Sequence, residues 1–277
     1  MKKYIKIILM LALVIGISAG CQGISKPENA QELVTKSQEE LKKKTSYTAE
    51  YTMDMTMNIA GQSLKTNAAG NMKQITENML TELDMTMDLG TSSQGNDQQQ
   101  MKMKMFTEQN PENKDELITY SNIADKWTKD VVSLKDSKGV NMEDSMSRML
   151  EQNKDAFTLQ EETAEVGGKE VYTITGTLPA EAISSMTANT PVDGQNMKFN
   201  ENMKVNTTYY YDKETLLPVQ AVVNVPNMKM EIDLGVEGVE PQSLDMTMNV
   251  LMNYTGFDNV ESITIPDEAK NAEMRAQ

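Results

Sequence analysis

The feature that most constrains this chain is a two-residue alternation of apolar and polar side chains that recurs along most of its length. Successive side chains of a β-strand point to opposite faces of a sheet, so this period predicts long strands with one buried face. In the first stretch one face carries Tyr47, Ala49, Tyr51, Met53, Met55, Met57 and Ile59. The same period predicts further strands at 63–75, 79–89, 101–105, 116–121, around Trp127, 157–166, 169–177, 203–212, 216–225, 228–234 and 244–254.

Helical spacing is confined to a few short segments. Ala30 to Lys44 has one narrow apolar stripe, and weaker helical patterns lie at 142–153 and 179–186. Gly167-Gly168 predicts a tight hairpin turn, and the polar segments 90–100 and 187–202 are typical of loops.

A sheet of roughly ten to twelve strands curls, and the apolar face of its strands needs a cover. Three helices are too few to cover that face by flat stacking. We therefore predict an α+β, β-rich fold, a large curled antiparallel sheet that forms a half-open β-barrel with a few helices on its concave side. No segment has the composition of a linker, so residues 30–277 are expected to form a single domain.

The N-terminus has the order of a secretory signal. Lys2, Lys3 and Lys6 precede an apolar run at 7–17, which is shorter than the about 20 residues that a membrane-spanning helix needs. Ser18-Ala19-Gly20-Cys21 resembles the bacterial lipobox, which implies cleavage before Cys21 and acyl chains such as palmitate on it. We expect residues 1–20 to be the signal peptide, 21–29 a tether, and the protein to be lipid-anchored on the extracytoplasmic face of the cell membrane. An ordinary signal peptide with an incidental cysteine is the alternative.

Composition removes several classes of function. The chain has 41 acidic against 26 basic residues and a net charge of −15, which disfavours nucleic-acid partners. It has no histidine, the commonest general base and metal ligand. It also lacks a nucleophile elbow, a P-loop and a dinucleotide fingerprint. We expect no enzymatic activity and no cofactor.

Two segments resemble a known group of proteins. Tyr209-Tyr210-Tyr211-Asp212-Lys213-Glu214-Thr215-Leu216-Leu217-Pro218 is similar to a strand, turn and returning strand of LolA-like lipoproteins, and Val260 to Ala269 is similar to their C-terminal strand. The match is to Gram-positive lipoproteins similar in shape to LolA and to mycobacterial LppX and LprG. This resemblance implies a LolA-like domain. In several members of the group the concave side carries acylated lipids or lipoproteins, whereas related domains in envelope-stress regulators bind partner proteins instead.

Methionine is unusually abundant, with 24 Met against 4 Phe and 1 Trp. Met-x-Met runs place thioethers on one face of a strand. Three interpretations remain open: a flexible core, an adaptable wall around an apolar ligand, and Cu(I) binding by soft sulfur ligands. The candidate cavity-wall residues are Tyr51, Met53, Met55, Met57, Met85, Met87, Met103, Met105, Met246 and Met248.

The sequence thus predicts a membrane-anchored lipoprotein of the cell envelope that binds a lipid or lipid-linked molecule in a methionine-rich cavity. The first alternative is an interaction or sensor module with a filled core that binds an envelope protein. The second is Cu(I) binding through the Met-x-Met runs.

Overall fold

A computed structural model of the chain describes residues 26–59, 62–90, 99–133, 152–179, 196–199, 203–233 and 242–274. The predicted signal peptide, Cys21 and most of the predicted tether lie outside the described residues. So do nearly all of the predicted helices at 142–153 and 179–186.

Thirteen strands of the described residues join in one sheet. They are β1 (Ser46–Ile59), β2 (Gln62–Ile75), β3 (Leu80–Leu89), β4 (Gln99–Gln109), β5 (Glu116–Ile123), β6 (Lys126–Ser133), β7 (Phe157–Leu159), β8 (Ala164–Val166), β9 (Lys169–Pro179), β10 (Asn196–Phe199), β11 (Lys204–Asp212), β12 (Pro218–Asp233) and β13 (Gln242–Phe257). The helices are α1 (Ala30–Leu41) and α2 (Asp267–Lys270), with a 3-10 turn at Lys154–Ala156.

The strands lie in the order β6-β5-β4-β3-β2-β1-β13-β12-β11-β9-β7, and each named pair is antiparallel. β10 extends β12, and β8 forms the hairpin with β9. Within the described residues the two end strands, β6 and β7, do not pair with each other, so the sheet is open. The predicted fold class, a large curled antiparallel sheet with few helices, is confirmed.

Helix α1 begins at a capped N-terminus. The backbone N–H of Glu32 donates to Asn29 Oδ1 at 2.9 Å, and the N–H of Glu28 donates to Glu32 Oε2 at 2.6 Å. The first bond satisfies a donor that the first helical turn leaves without an intrahelical acceptor, and the second ties the residue before the N-cap to the helix. Leu33 and Val34 are fully buried against β9, β11 and β12. The helix therefore covers one end of one face of the sheet.

The C-terminal segment packs on the opposite face. Ile263, Ile265 and Ala269 are buried in a cluster with Leu80, Phe106, Ile118 and Tyr120. The C-terminal strand implied by the resemblance is wrong: residues 259–266 have no strand pairing, and Pro266, which has no N–H to donate, precedes α2. The two described helices thus lie on opposite faces of the sheet, while the predicted helices at 142–153 and 179–186 lie almost entirely outside the described residues.

Three other boundaries differ from the sequence prediction. The predicted strand 157–166 is two strands, β7 and β8, separated by a turn. The predicted strands 216–225 and 228–234 are one strand, β12, with a bulge between Val225 and Met228. The predicted loop 187–202 contains β10. The hairpin at Gly167-Gly168 is confirmed, with φ of 58° and 77°.

Trp127 packs at the edge of the C-terminal cluster. Its ring stacks on that of Phe106 with 6.0 Å between centroids. This contact accounts for the single tryptophan as a packing residue.

Candidate functional site

The strand register brings the methionine runs onto one face of the sheet. Side chains directly opposite each other in an antiparallel pair point to the same face. Met55 lies opposite Met248 and Met57 opposite Met246, so β1 and β13 form a block of four thioethers. On the other side of β2, Met85 lies opposite Met103 and Met87 opposite Met101. We call this side of the sheet the methionine face.

Strand β2 separates the two methionine blocks and contributes smaller side chains. Across from β1 it presents Thr66, Ala68 and Gly70. A methyl group at Gly70 would lie 2.6 Å from the carbonyl oxygen of Asp84 and 2.7 Å from Cε1 of Tyr51. Gly70 therefore leaves the space that the Tyr51 ring occupies beside β2.

Exposure changes along the methionine face. Under α1 the face is sealed, since Ile174 and Leu178 have 0% and 1% of their surface exposed. Every predicted wall residue is only half-buried, and these are Tyr51, Met53, Met55, Met57, Met85, Met87, Met103, Met105, Met246 and Met248. The structure therefore brings the predicted set together on one face, and the middle of that face is more open than the end beneath α1.

The methionine face is also uncharged. From β4 across to β12, the described side chains on this face include no Lys, Arg, Asp or Glu. The opposite face carries the ion pairs, such as Glu82 with Lys104 at 2.8 Å and with Lys73 at 3.1 Å. Burial opposes ionisation of Glu82, but the two lysines together outweigh it and lower its pKa. From β4 to β12 the described charged side chains of the strands therefore lie on the opposite face, where they flank the apolar cluster that contains Leu80 and Phe106.

Two tyrosines on the methionine face remain uncharged at neutral pH. Burial raises the pKa of Tyr209 to about 12. Burial also raises the pKa of Tyr51. Their rings therefore add aromatic surface to the face without adding charge.

Two buried threonine hydroxyls on this face, those of Thr66 and of Thr207 on β11, have no hydrogen-bond partner among the described residues, and Thr66 is the one that lies between the methionine blocks. Thr66 has 1% of its surface exposed, and its Oγ1 makes no hydrogen bond to any described residue. Its neighbours across the strands are Met55 and Leu89, and along β2 they are Leu64 and Ala68. An unsatisfied buried hydroxyl costs about 1–3 kcal/mol. Thr66 was not among the residues predicted to line the site. Its position two residues from Leu64 and from Ala68, which are apolar, could have indicated that it lies on the apolar face.

Three hollows surround the site. An apolar slot of about 30 Å³ lies between α1 and the sheet and is lined by Val34, Leu41, Tyr209, Tyr211 and Tyr254, among others. A hollow of about 680 Å³ lies along the polar side of α1, and one of about 280 Å³ has mixed lining that includes Asp54, Lys65, Met55 and Met248. The slot is the one lined mainly by the methionine face and its helix. It is too small for a lipid unless the side chains around it move.

Within the described ranges, no group of three or more His, Cys, Asp or Glu side chains is placed to hold a metal ion. No helix of the described part of the chain has the length and hydropathy needed to cross a membrane.

Comparisons with known proteins place the chain in one family. A family model described as "Family of unknown function (DUF6612)" matches residues 29–274. Among proteins with curated functions, none matches the sequence.

Solved structures that align with the fold include lipoprotein LppX of Mycobacterium tuberculosis, with 13% identity, 84% of this chain and 97% of that chain covered, and a TM-score of 0.33. LprF of Mycobacterium bovis aligns with 11% identity, 87% and 97% coverage, and a TM-score of 0.32. A DUF1329 family protein of Desulfovibrio piger aligns with 12% identity, 84% and 93% coverage, and a TM-score of 0.24. LppX belongs to the group named from the sequence. At these scores the alignments transfer no residue or ligand to this chain.

Proposed function

This chain belongs to the family of unknown function DUF6612, and we propose that it is an extracytoplasmic lipoprotein that shelters an apolar ligand against its methionine face. The ligand is a lipid or a lipid-linked molecule. The role is binding and not catalysis.

The observation that carries this proposal is the combination of three properties on one surface. The methionine face is continuous across β4, β3, β2, β1 and β13, it is uncharged over the described residues, and its methionines are half-buried. Methionine side chains are unbranched and re-pack around differently shaped partners. A surface of this kind suits an apolar molecule of irregular shape better than it suits a rigid polar one.

The N-terminal sequence supports the location. A lipid on Cys21 would hold the domain at the membrane surface, where apolar ligands are concentrated. Two or more acyl chains on one anchor give stable attachment. The membrane is therefore both the anchoring partner and the nearest source of ligand.

Met55→Asp tests the proposal. Met55 lies at the centre of the face, between Met248 and Thr66. A carboxylate placed there without a partner disfavours an apolar ligand strongly. We expect binding of a neutral fluorescent acyl-ester probe to weaken by about tenfold or more, equivalent to about 1.4 kcal/mol. Because Met55 is half-buried, water can reach the new charge, and the melting temperature should change little.

Thr52→Asp is the matched control. Thr52 is exposed on the same strand but points to the opposite face, so the same substitution should leave probe binding unchanged. Equal probe binding by wild type, Met55→Asp and Thr52→Asp would refute the proposal. A sharp fall in melting temperature for Met55→Asp would instead identify a filled core, since close-packed interiors have no room for water. Extraction of co-purified lipid and its native mass spectrum would then identify the ligand.

A further inference from the structure

Thr66 is the buried, unpartnered hydroxyl that lies between the two methionine blocks; a second one on the same face, that of Thr207, lies on β11, away from these blocks. The side chain of Thr66 is 1% exposed, and Oγ1 has no hydrogen-bond partner among the described residues. The residues opposite it are Met55 on β1 and Leu89 on β3. Buried polar groups in proteins nearly always have a partner, so one without a partner points to a group that the protein itself does not supply.

Another threonine on the same face shows the usual arrangement. Thr107 is also buried, but its hydroxyl lies 3.4 Å from that of Thr119 on the neighbouring strand. Thr66 has no polar neighbour of this kind. Leu64 and Ala68, which flank it on the same face of β2, are apolar.

The charge of the face restricts what could pair with Thr66. Across β4 to β12 the described side chains of this face include no cation. A free carboxylate or phosphate brought to Thr66 would therefore be buried without a counter-charge, which is strongly unfavourable. A neutral oxygen acceptor faces no such penalty, and a hydroxyl can donate its proton to it.

We propose that the Thr66 hydroxyl donates a hydrogen bond to the carbonyl oxygen of a neutral acyl ester, so that the ligand of the methionine face is an ester lipid and not a hydrocarbon or a free fatty acid. This inference rests on the proposed function. The acyl chains lie along the methionines, and the ester group lies over β2 at Thr66, where Thr66 and Ala68 are smaller than the methionines that flank them.

Access to Thr66 requires movement of the methionines and not of the backbone. Met55 lies opposite Thr66, while Met57 lies opposite Leu64 and Met87 opposite Ala68 on the adjoining positions of the same face. Each has three side-chain torsions and no branch, so each can swing aside. The hydroxyl is covered in the unliganded protein and becomes available when the ligand displaces these side chains.

The test compares an ester lipid with its ether analogue, which lacks the carbonyl oxygen. Dioctanoylglycerol and dioctylglycerol ether compete against a fluorescent acyl probe on the full chain purified in detergent micelles. The partition of each lipid into micelles without protein is measured first and the affinities are corrected for it, and wild type, Thr66→Val and Thr66→Ser are then compared under the same conditions. Valine has the shape of threonine without the hydroxyl, and serine retains the hydroxyl.

We expect wild type to prefer the ester by about 3- to 10-fold, the effect of one net hydrogen bond. Thr66→Ser should keep that preference. Thr66→Val should abolish it by weakening the ester alone and leaving the affinity of the ether unchanged. Thr107→Val is the matched control on the same face, and it should leave the ester preference intact because the hydroxyl of Thr107 already has a protein partner.

The possible results separate the inference from the proposed function. If the lipids displace the probe but wild type shows no ester preference, or Thr66→Val keeps it, the inference is overturned and the proposed function stands. If Thr66→Val weakens both lipids equally, Thr66 acts through packing, and the inference is again overturned. If neither lipid displaces the probe from wild type, the inference and the proposed function both fail. A melting curve confirms that each variant is folded, and Thr66→Ala replaces Thr66→Val if valine disrupts the strand.

Discussion

Methionine and threonine have opposite roles at the centre of this sheet. A run such as Met53, Met55 and Met57 supplies surface that adapts in shape but makes no directional contact. Thr66 adds one hydroxyl to that surface, and this hydroxyl has no hydrogen-bond partner among the described residues. In the proposed complex it makes the one directional contact with the ligand. A single polar atom on an adaptable apolar wall orients a ligand. The apolar contacts allow the ligand many positions, whereas the hydrogen bond allows only a few.

At the residue scale, Asp212 closes the turn between β11 and β12. Its Oδ1 accepts hydrogen bonds from the N–H groups of Glu214 and Thr215, both at 2.9 Å, and its Oδ2 lies 3.3 Å from Nζ of Lys169. Burial opposes ionisation of Asp212, but these partners outweigh it and hold the pKa below its usual value of 3.8. The turn therefore depends on the charged form of the carboxylate.

Asp212→Ala should lower the free energy of unfolding by about 1–2 kcal/mol at about pH 7, because the two turn N–H groups lose their acceptor. Since the folded-state pKa is depressed, the contribution is fully present above the unfolded-state pKa of about 3.9 and is lost as pH falls through the lower folded-state value. Urea unfolding at about pH 7 and about pH 3 measures this. The difference in the free energy of unfolding between Asp212→Ala and wild type should be smaller at the lower pH.

Glu214→Ala is the control for this comparison. Glu214 is exposed and contributes its backbone to the turn, so its side-chain truncation should change stability by less than about 0.5 kcal/mol. If the difference in the free energy of unfolding between Asp212→Ala and wild type were larger at low pH, the charged form of Asp212 would not be the one that stabilises the turn.

At the element scale, α1 is held by packing more than by its own helical tendency. A helix of 12 residues is marginal in isolation. Its buried side, Ala30, Leu33, Val34, Ser37 and Leu41, lies over β9, β11 and β12 and seals that end of the methionine face. The helix thus stabilises the closed end of the site and leaves the half-buried methionines beyond it.

Leu33→Ala should lower the free energy of unfolding by about 2–5 kcal/mol. Leu33 is 0% exposed, so the substitution leaves a cavity in the cluster beneath the helix. Alanine has a high helix propensity, so the loss would come from packing and not from the helix itself. Denaturant unfolding measures it, with Glu39→Ala on the exposed side of α1 as the control. A loss below about 1 kcal/mol for Leu33→Ala would show that α1 is not packed as described.

At the scale of the whole molecule, the first and last strands of the described residues, β1 and β13, are neighbours in the middle of the sheet. β1 pairs with β13 along almost the full length of both strands. The central methionine block therefore forms only when residues about 200 positions apart have paired, and contacts of such long range slow folding.

Cys21→Ser should release the protein from the membrane or leave its signal uncleaved, because the chain has no other cysteine to take the lipid. Fractionation of cells into soluble, membrane and detergent-extracted pools measures the outcome. Serine replaces sulfur with oxygen and changes little else, so the folded domain should keep its melting temperature. A variant that is processed normally and still needs detergent for release would rule out lipidation at Cys21.

Much of this architecture could be predicted from the sequence because it follows from local alternation. The period of two determines which side chains share a face within one strand, and that is how Met53, Met55 and Met57 were placed together correctly. The hairpin at Gly167-Gly168 and the helix from Ala30 were also predictable, since φ angles and capping bonds involve only near neighbours.

Tertiary structure alone decided which strands became neighbours, and so which faces joined. No local pattern states that Met55 lies opposite Met248, or that Thr66 lies between Met55 and Leu89. The same limit explains the C-terminal segment: Ile263 and Ile265 alternate as a strand does, yet they pack on the charged side of the sheet beside Phe106. Alternation specifies the relative orientation of side chains, whereas their partners depend on apolar surfaces that meet only once the whole sheet has formed.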